Sequence, residues 1–257
     1  MSGRRLLPAA LFFPDAIADT HAAETKIGVF LMAELGLFEA INTARALRRF
    51  KPDPVPDEVI SKILEAGIRA PSGSNEQTWL FVVVKDPEQR RKLGEVYRKG
   101  GGILMALYAG RVKPEHMDQK QYDKLLASAT YLIDHMAEAP VLLLACLQPG
   151  QVGAQPAKLP PEVTAAMRNL GRMAGSSIYP AVQNIILACR SFGLGTVLTT
   201  LHMFFEDEVK AILGLPAEVQ TYALLPIGYP RDKFGPIRRR PVGEVVCLDR
   251  YGNHWKG

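Results

Sequence analysis

Arg45 and Arg48 stand three residues apart at the end of a helical pattern. Residues at that spacing share one face of a helix. Two guanidinium groups on one face can grip a phosphate through paired N–H donors. The same pair also suits a solvated basic helix end, favoured by the helix dipole. A second segment, Ala70-Pro71-Ser72-Gly73-Ser74-Asn75-Glu76-Gln77-Thr78-Trp79, offers small hydroxyls, a flexible glycine and amide side chains. Asn75 can donate and accept, so it can pair with a ring edge that carries a carbonyl beside an N–H. These are equally ordinary turn residues. A third segment, Gly193-Leu194-Gly195-Thr196-Val197-Leu198-Thr199-Thr200, can bring backbone N–H groups and hydroxyls to a ligand, or simply form a strand. The fourth runs from Leu225 through Gly228-Tyr229-Pro230 to the basic cluster Arg238-Arg239-Arg240-Pro241. One arginine there can complete a phosphate site or belong to a solvated loop.

In this order the four segments resemble the FMN-dependent nitroreductase superfamily, which includes nitroreductases, flavin reductases, iodotyrosine deiodinases and the flavin-destructase of cobamide synthesis. The resemblance spans about residues 40–250. An Arg-Arg-Ser-x-Arg-x-Phe opening is matched by Ala44 to Phe50, with alanines in place of the first arginine and of the serine. The Ala-Pro-Ser-x-x-Asn-x-Gln-Pro-Trp block is matched by Ala70 to Trp79, with Thr78 in place of the proline. It is the most specific of the signals. The Gly-Leu-Gly-Thr element and the Gly-Tyr-Pro, then Arg-x-Pro, ending are present as well.

The resemblance implies an FMN oxidoreductase. Arg45, Arg48 and Arg239 would hold the phosphate, with Ala46 beside them. Pro71, Ser72, Gly73, Asn75 and Gln77 would line the ribityl chain and pyrimidine edge. Leu198, Thr199, Thr200 and Gly228 would lie near the ring, with Thr200 able to hydrogen-bond N5. NAD(P)H would be the hydride donor in a ping-pong cycle, and a small apolar or aromatic molecule (a nitroaromatic, quinone or enone) the acceptor. Tyr97, Tyr108 and Tyr122 fall in the region that sets specificity in this family, although they can also be dimer core. Between residues 95 and 130 no glutamate is followed four positions later by tyrosine, the deiodinase signature. The competing reading is a protein that binds or consumes FMN without reducing such an acceptor.

The elements that must position these groups follow from periodicity. Apolar residues spaced three or four apart predict helices over residues 22–47 and 56–70. Residues 88–138 read as mostly helical with a break at Gly100-Gly101-Gly102. Two more helices are expected over 181–192 and 206–213. Continuous β-branched and apolar runs predict strands over 80–84, 141–147, 196–200, 221–227 and 242–248. Residues 148–161 read as a loop. The expected architecture is a single α+β domain over residues 1–257; the resemblance implies a central mixed, mostly antiparallel sheet flanked by helices. Residues 1–40 form an N-terminal extension and about 242–257 a C-terminal arm. The resemblance adds an intertwined homodimer.

The composition excludes several classes. With 257 residues, 47% hydrophobic and 22% charged, the chain can build a sizeable core. A net charge of +5 accommodates an anionic ligand without requiring one. No basic stripe or nucleic-acid motif accompanies the arginine clusters. Cys146, Cys189 and Cys247 are too widely spaced for a disulfide framework or zinc site, which favours a reducing, cytoplasmic setting. The apolar run 6–13 is cut short by Pro14-Asp15, unlike a secretory signal. The run 27–41 carries Glu34 and Glu39 and is too short to span a bilayer. His21, His116, His135, His202 and His254 are scattered and form no acid–base dyad.

Overall fold

The computed structural model describes residues 35–150 and 170–256. The expected N-terminal extension (apart from residues 35–40), residues 22–34 of the first helix and most of the 148–161 loop lie outside them. The described residues carry helices α1 (Leu37–Thr43), α2 (Asp57–Gly67), α3 (Pro87–Tyr108), α4 (Gln119–His135), α5 (Leu170–Ser191) and α6 (Glu206–Leu213). Strands β1 (Trp79–Val84), β2 (Val141–Leu147), β3 (Gly195–Thr196) and β4 (Gln220–Gly228) form one sheet in the order β1-β2-β4-β3. Every described pairing is antiparallel.

The sheet is buried on both faces, which is why its strands read as unbroken apolar runs. On β2, Leu142, Leu144 and Cys146 enter one core with Leu93, Val96, Leu132 and Leu224. Val141, Leu143, Ala145 and Leu147 point the other way, onto Ile63, Ile178, Val182, Ile185 and Leu225. This period-two alternation lays α3 and α4 against one face and α2 and α5 against the other. The caps agree with the local sequence. Asp86 accepts from Gln89 N–H at 2.8 Å with Pro87 in the first turn of α3, and Asp118 and Gln121 form a reciprocal capping box on α4.

Five expectations need correction, the last of them at the glycine triplet. The first helix ends at Thr43, not residue 47. Beyond it the chain is captured by the end of the sheet. Leu47 N–H donates to Thr196 O at 3.2 Å, Lys51 N–H to Tyr229 O at 2.8 Å, and Arg231 N–H to Arg49 O at 2.9 Å. The 196–200 strand is reduced to Gly195–Thr196 plus a single bridge from Thr199 to Leu224. The helix expected over 181–192 begins by Leu170 and carries Pro180 within it. The 242–248 strand is instead a short 3-10 turn, Val242–Glu244, followed by a bridge between Cys247 and His254. It has no sheet neighbour among the described residues.

The glycine triplet does not break α3, which runs through it. Its reason is close approach. A Cβ on Gly100 would lie 2.3 Å from the Leu201 carbonyl oxygen, and one on Gly101 would lie 2.4 Å from Ile133 Cγ2. Gly102 faces open space. Opposite effects are therefore expected from one substitution at two positions only two residues apart in the same helix. Gly102→Ala should stabilise by about 0.5–1 kcal/mol through helix propensity. Gly100→Ala should destabilise by about 1–3 kcal/mol, because the obstructing atom is backbone and cannot rotate aside. Denaturant titration of both variants checks the pair, and equal shifts would refute the packing account.

Candidate active site

The extended segment after α1 forms one wall of a cleft of about 400 Å³. Arg45, Ala46, Leu47, Arg48 and Arg49 line it from one side, Ser128 of α4 from a second, and Asp232 and Lys233 of the loop after β4 from a third. Because this stretch is not helical, Arg45 and Arg48 share the cleft through tertiary pairing and not through a helix face. Arg48 is half-buried and donates from Nη1 to Ser128 Oγ at 3.3 Å. Burial holds its guanidinium below the usual arginine value, with Arg45 pressing the same way and Tyr97 opposing. Arg49 stacks on the Tyr131 ring, 4.5 Å from its centroid, and Tyr131 in turn stacks on His135. No described salt bridge involves Arg45, Arg48, Arg49 or Lys233.

Tyr97 links this cleft to the Thr199 segment. It is 3% exposed, and burial pushes its phenol up to about 12, while the Thr199 hydroxyl and the Arg48 guanidinium pull it back down. Thr199 is itself buried and fixed on β4: its N–H and hydroxyl both donate to Leu224 O, at 3.1 and 2.7 Å. Its neighbours Leu198 and Thr200 are exposed. Gly228 is buried, and a Cβ there would meet Pro140 Cδ at 2.6 Å, so close packing explains that glycine. Tyr122 is also interior, and its hydroxyl has no hydrogen-bond partner among the described residues. Tyr108, at the end of α3, is half-buried beneath the Arg111 guanidinium. Thus, of the three tyrosines expected to meet a substrate, two are interior residues of the described fold and only Tyr108 stands partly open.

The Ser72–Gln77 loop does not line the cleft. It is an exposed turn in which Ser74, Asn75 and Gln77 all adopt positive φ, at 50°, 55° and 53°. Such conformations are costly for residues other than glycine and persist only when the surroundings enforce them. Here Gln77 N–H donates to Ser72 Oγ at 3.0 Å, and Gln77 Nε2 to Asn75 Oδ1 at 3.3 Å. Ser177 of α5 pins both ends: its Oγ accepts from Gly73 N–H at 3.0 Å and its carbonyl accepts from Trp79 Nε1 at 2.7 Å. Pro71 is exposed at the loop's start. Arg239 is exposed and is not among the residues that line the cleft; its Nη1 donates to Arg238 O at 2.9 Å.

Three residues that the motifs did not flag emerge here: Ser128 and Lys233 in the cleft, and Ser177 beneath the loop. Lys233 lies three residues beyond the Gly-Tyr-Pro motif, so its position could have drawn notice. Lone serines inside long helices carry no such signal. Among the described residues no three His, Cys, Asp or Glu side chains could jointly hold a metal ion, and no helix is long and apolar enough to cross a membrane.

The model of one protein family, described as the nitroreductase family, matches residues 41–229. The chain belongs to the nitroreductase family. Its relatives include an NADH dehydrogenase of Thermus thermophilus, 30% identical over 212 residues that cover 79% of this chain and 90% of that one. An iodotyrosine deiodinase of Thermotoga neapolitana is 28% identical, covering 82% and 95%. Among solved structures, an oxidised iodotyrosine deiodinase bound to FMN and 3-iodo-L-tyrosine aligns with a TM-score of 0.59 at 25% identity, over 84% of this chain and 99% of that one. The family match includes the arginine segment, the Ser72–Gln77 loop and the Thr199 segment, and it stops before the 237–241 basic cluster.

Proposed function

We propose that this chain is an FMN-dependent oxidoreductase that takes electrons from NAD(P)H and reduces a small apolar or aromatic acceptor. The observation that carries the reading is the cleft, where Arg45, Arg48 and Lys233 converge with no described salt bridge among them, Asp232 is the one carboxylate in the lining, and Ser128 adds a hydroxyl. A phosphate monoester matches that donor set in charge and in hydrogen-bonding demand. FMN, when bound, supplies the two-electron chemistry, which the protein directs through orientation and electrostatics. In this reading Arg45 and Arg48 hold the phosphate. Ser72, Gly73 and Asn75 line the ribityl chain and pyrimidine edge, Asn75 through its side-chain amide. Leu198, Thr199 and Thr200 form the edge beside the ring, with Thr199 held rigidly by Leu224.

The Ser72–Gln77 loop lies outside the cleft of its own chain, which fits a site completed by a second copy. Phe38, Leu37 and Ile41 on α1, and Val242, Val245, Leu248 and Trp255 near the C-terminus, are large apolar residues left exposed on one protomer. Exposed apolar surface of that extent favours association. A homodimer with flavin between subunits is accordingly part of the proposal, as is a reducing, cytoplasmic setting for the free thiols Cys146, Cys189 and Cys247.

A second reading has its own support. Ala44 and Ala46 lack the arginine and serine that the motif usually supplies, so a protein that binds or consumes FMN without turning over an external acceptor is the alternative. Absorbance spectroscopy of the purified protein separates the two. Oxidised flavin is expected as bands near 370 and 450 nm, about the values of the free cofactor, and these should bleach under anaerobic NADH or NADPH. Bound flavin that neither nucleotide bleaches would favour the alternative. A protein that cannot be loaded with flavin at all would overturn both.

A further inference from the structure

We propose that Lys233 and Ser128 form the substitute half of a phosphate pocket, supplying to the terminal phosphate of the flavin the contacts that Ala44 and Ala46 cannot make. This rests on the FMN reading above and goes beyond it, because Ser128 lies outside every motif segment and Lys233 falls between the two blocks of the fourth. The argument is electrostatic. Arg45, Arg48, Arg49 and Lys233 face one cleft against a single carboxylate, Asp232. Cations gathered in this way repel one another unless an anion lies among them. Arg49 is occupied by its stack on Tyr131, and Arg48 gives one N–H to Ser128. That hydrogen bond fixes the Arg48 guanidinium and leaves its remaining donors free. The Ser128 hydroxyl, having accepted from Arg48, retains its own proton to give to a phosphate oxygen. Lys233 approaches from the opposite wall on the loop after β4, three residues past Pro230, so its ammonium is a point charge that adapts to a dianion.

The test compares FMN with riboflavin, which lacks the phosphate, by fluorescence titration of the full-length protein freed of flavin. Wild type should bind FMN much more tightly than riboflavin. Lys233→Ala should weaken FMN roughly tenfold, the scale of one charge-assisted hydrogen bond, and leave riboflavin unchanged. Lys233→Arg should restore most of the loss. Ser128→Ala should weaken FMN by a smaller factor, about threefold. Asp232→Asn, which removes the one opposing charge, should tighten FMN binding, an effect that a merely structural role would not produce. If Lys233→Ala weakens both flavins equally, or neither, the assignment is wrong. If wild type binds FMN and riboflavin alike, the flavin reading stands and the phosphate pocket falls. If it binds neither, the flavin reading itself fails.

Discussion

Arg48→Ala is expected to raise the dissociation constant for FMN by about 100-fold, the scale of losing a forked, charge-assisted contact in a partly desolvated site. The flavin-free protein should lose no stability, and could even gain some. Arg48 stands half-buried beside Arg45, its charge disfavoured by burial, with one hydrogen bond to Ser128 and no described carboxylate partner. Removing it therefore relieves repulsion and desolvation that only a bound anion offsets. Arg48→Lys should recover part of the affinity, since an ammonium keeps the charge but not the planar fork. Titration with FMN, alongside thermal melts of the flavin-free forms, reads both halves. An alanine variant that binds FMN within about twofold of wild type, or that melts far below it, would contradict the role assigned to Arg48.

The second large effect concerns acid. His202 is completely buried at the start of the turn that follows Thr200, and among the described residues neither ring nitrogen has a hydrogen-bond partner. Burial pushes its pKa down to about 4 from the ordinary 6.5, with Glu206 pulling weakly upward. The sign follows directly. Above the unfolded value both states are neutral and stability is unaffected. As pH falls below it, the unfolded chain takes up a proton that the folded protein refuses, so stability declines until the folded value is reached. The loss amounts to about 3 kcal/mol, from a gap of roughly two and a half units. Glu206 acts in a separate, lower window. Burial alone would raise its pKa, but hydrogen bonds from Thr221 N–H and hydroxyl, together with Lys210, outweigh it and hold the carboxyl low. Its contribution is present above the unfolded carboxylate value and is lost only below it. His202→Leu should abolish the decline between neutrality and about pH 5, seen as a flat denaturation free energy where wild type slopes. Parallel curves for the two proteins would show that another group is responsible.

Both effects depend on positions that the sequence names but does not explain. His202 is one of five scattered histidines, and only packing shows that it is dry and unpartnered. The spacing of Arg45 and Arg48 reads as one helix face, whereas they share a cleft on an extended stretch. They meet because the chain after Thr43 pairs with Thr196, Tyr229 and Arg231 at the sheet's end.

The sequence by itself determined the three long strands, at 80–84, 141–147 and 221–227, and the order of the elements. A strand buried on both faces must be apolar at every position, and Val141–Leu147 shows that in seven consecutive residues. It also determined the family, because the Ala70–Trp79 block and its companions survive as local strings. The tertiary structure alone decided what glycine does at Gly100 and Gly101, why the 196–200 and 242–248 segments are not full strands, and where Tyr97 and Tyr122 go. It also brought Ser128 and Lys233, more than 100 residues apart in the chain, into one cleft with Arg48. Periodicity records which side of an element is buried. It carries no information about which distant atom lies on the other side of the contact, and that is fixed only when helices and sheet pack together.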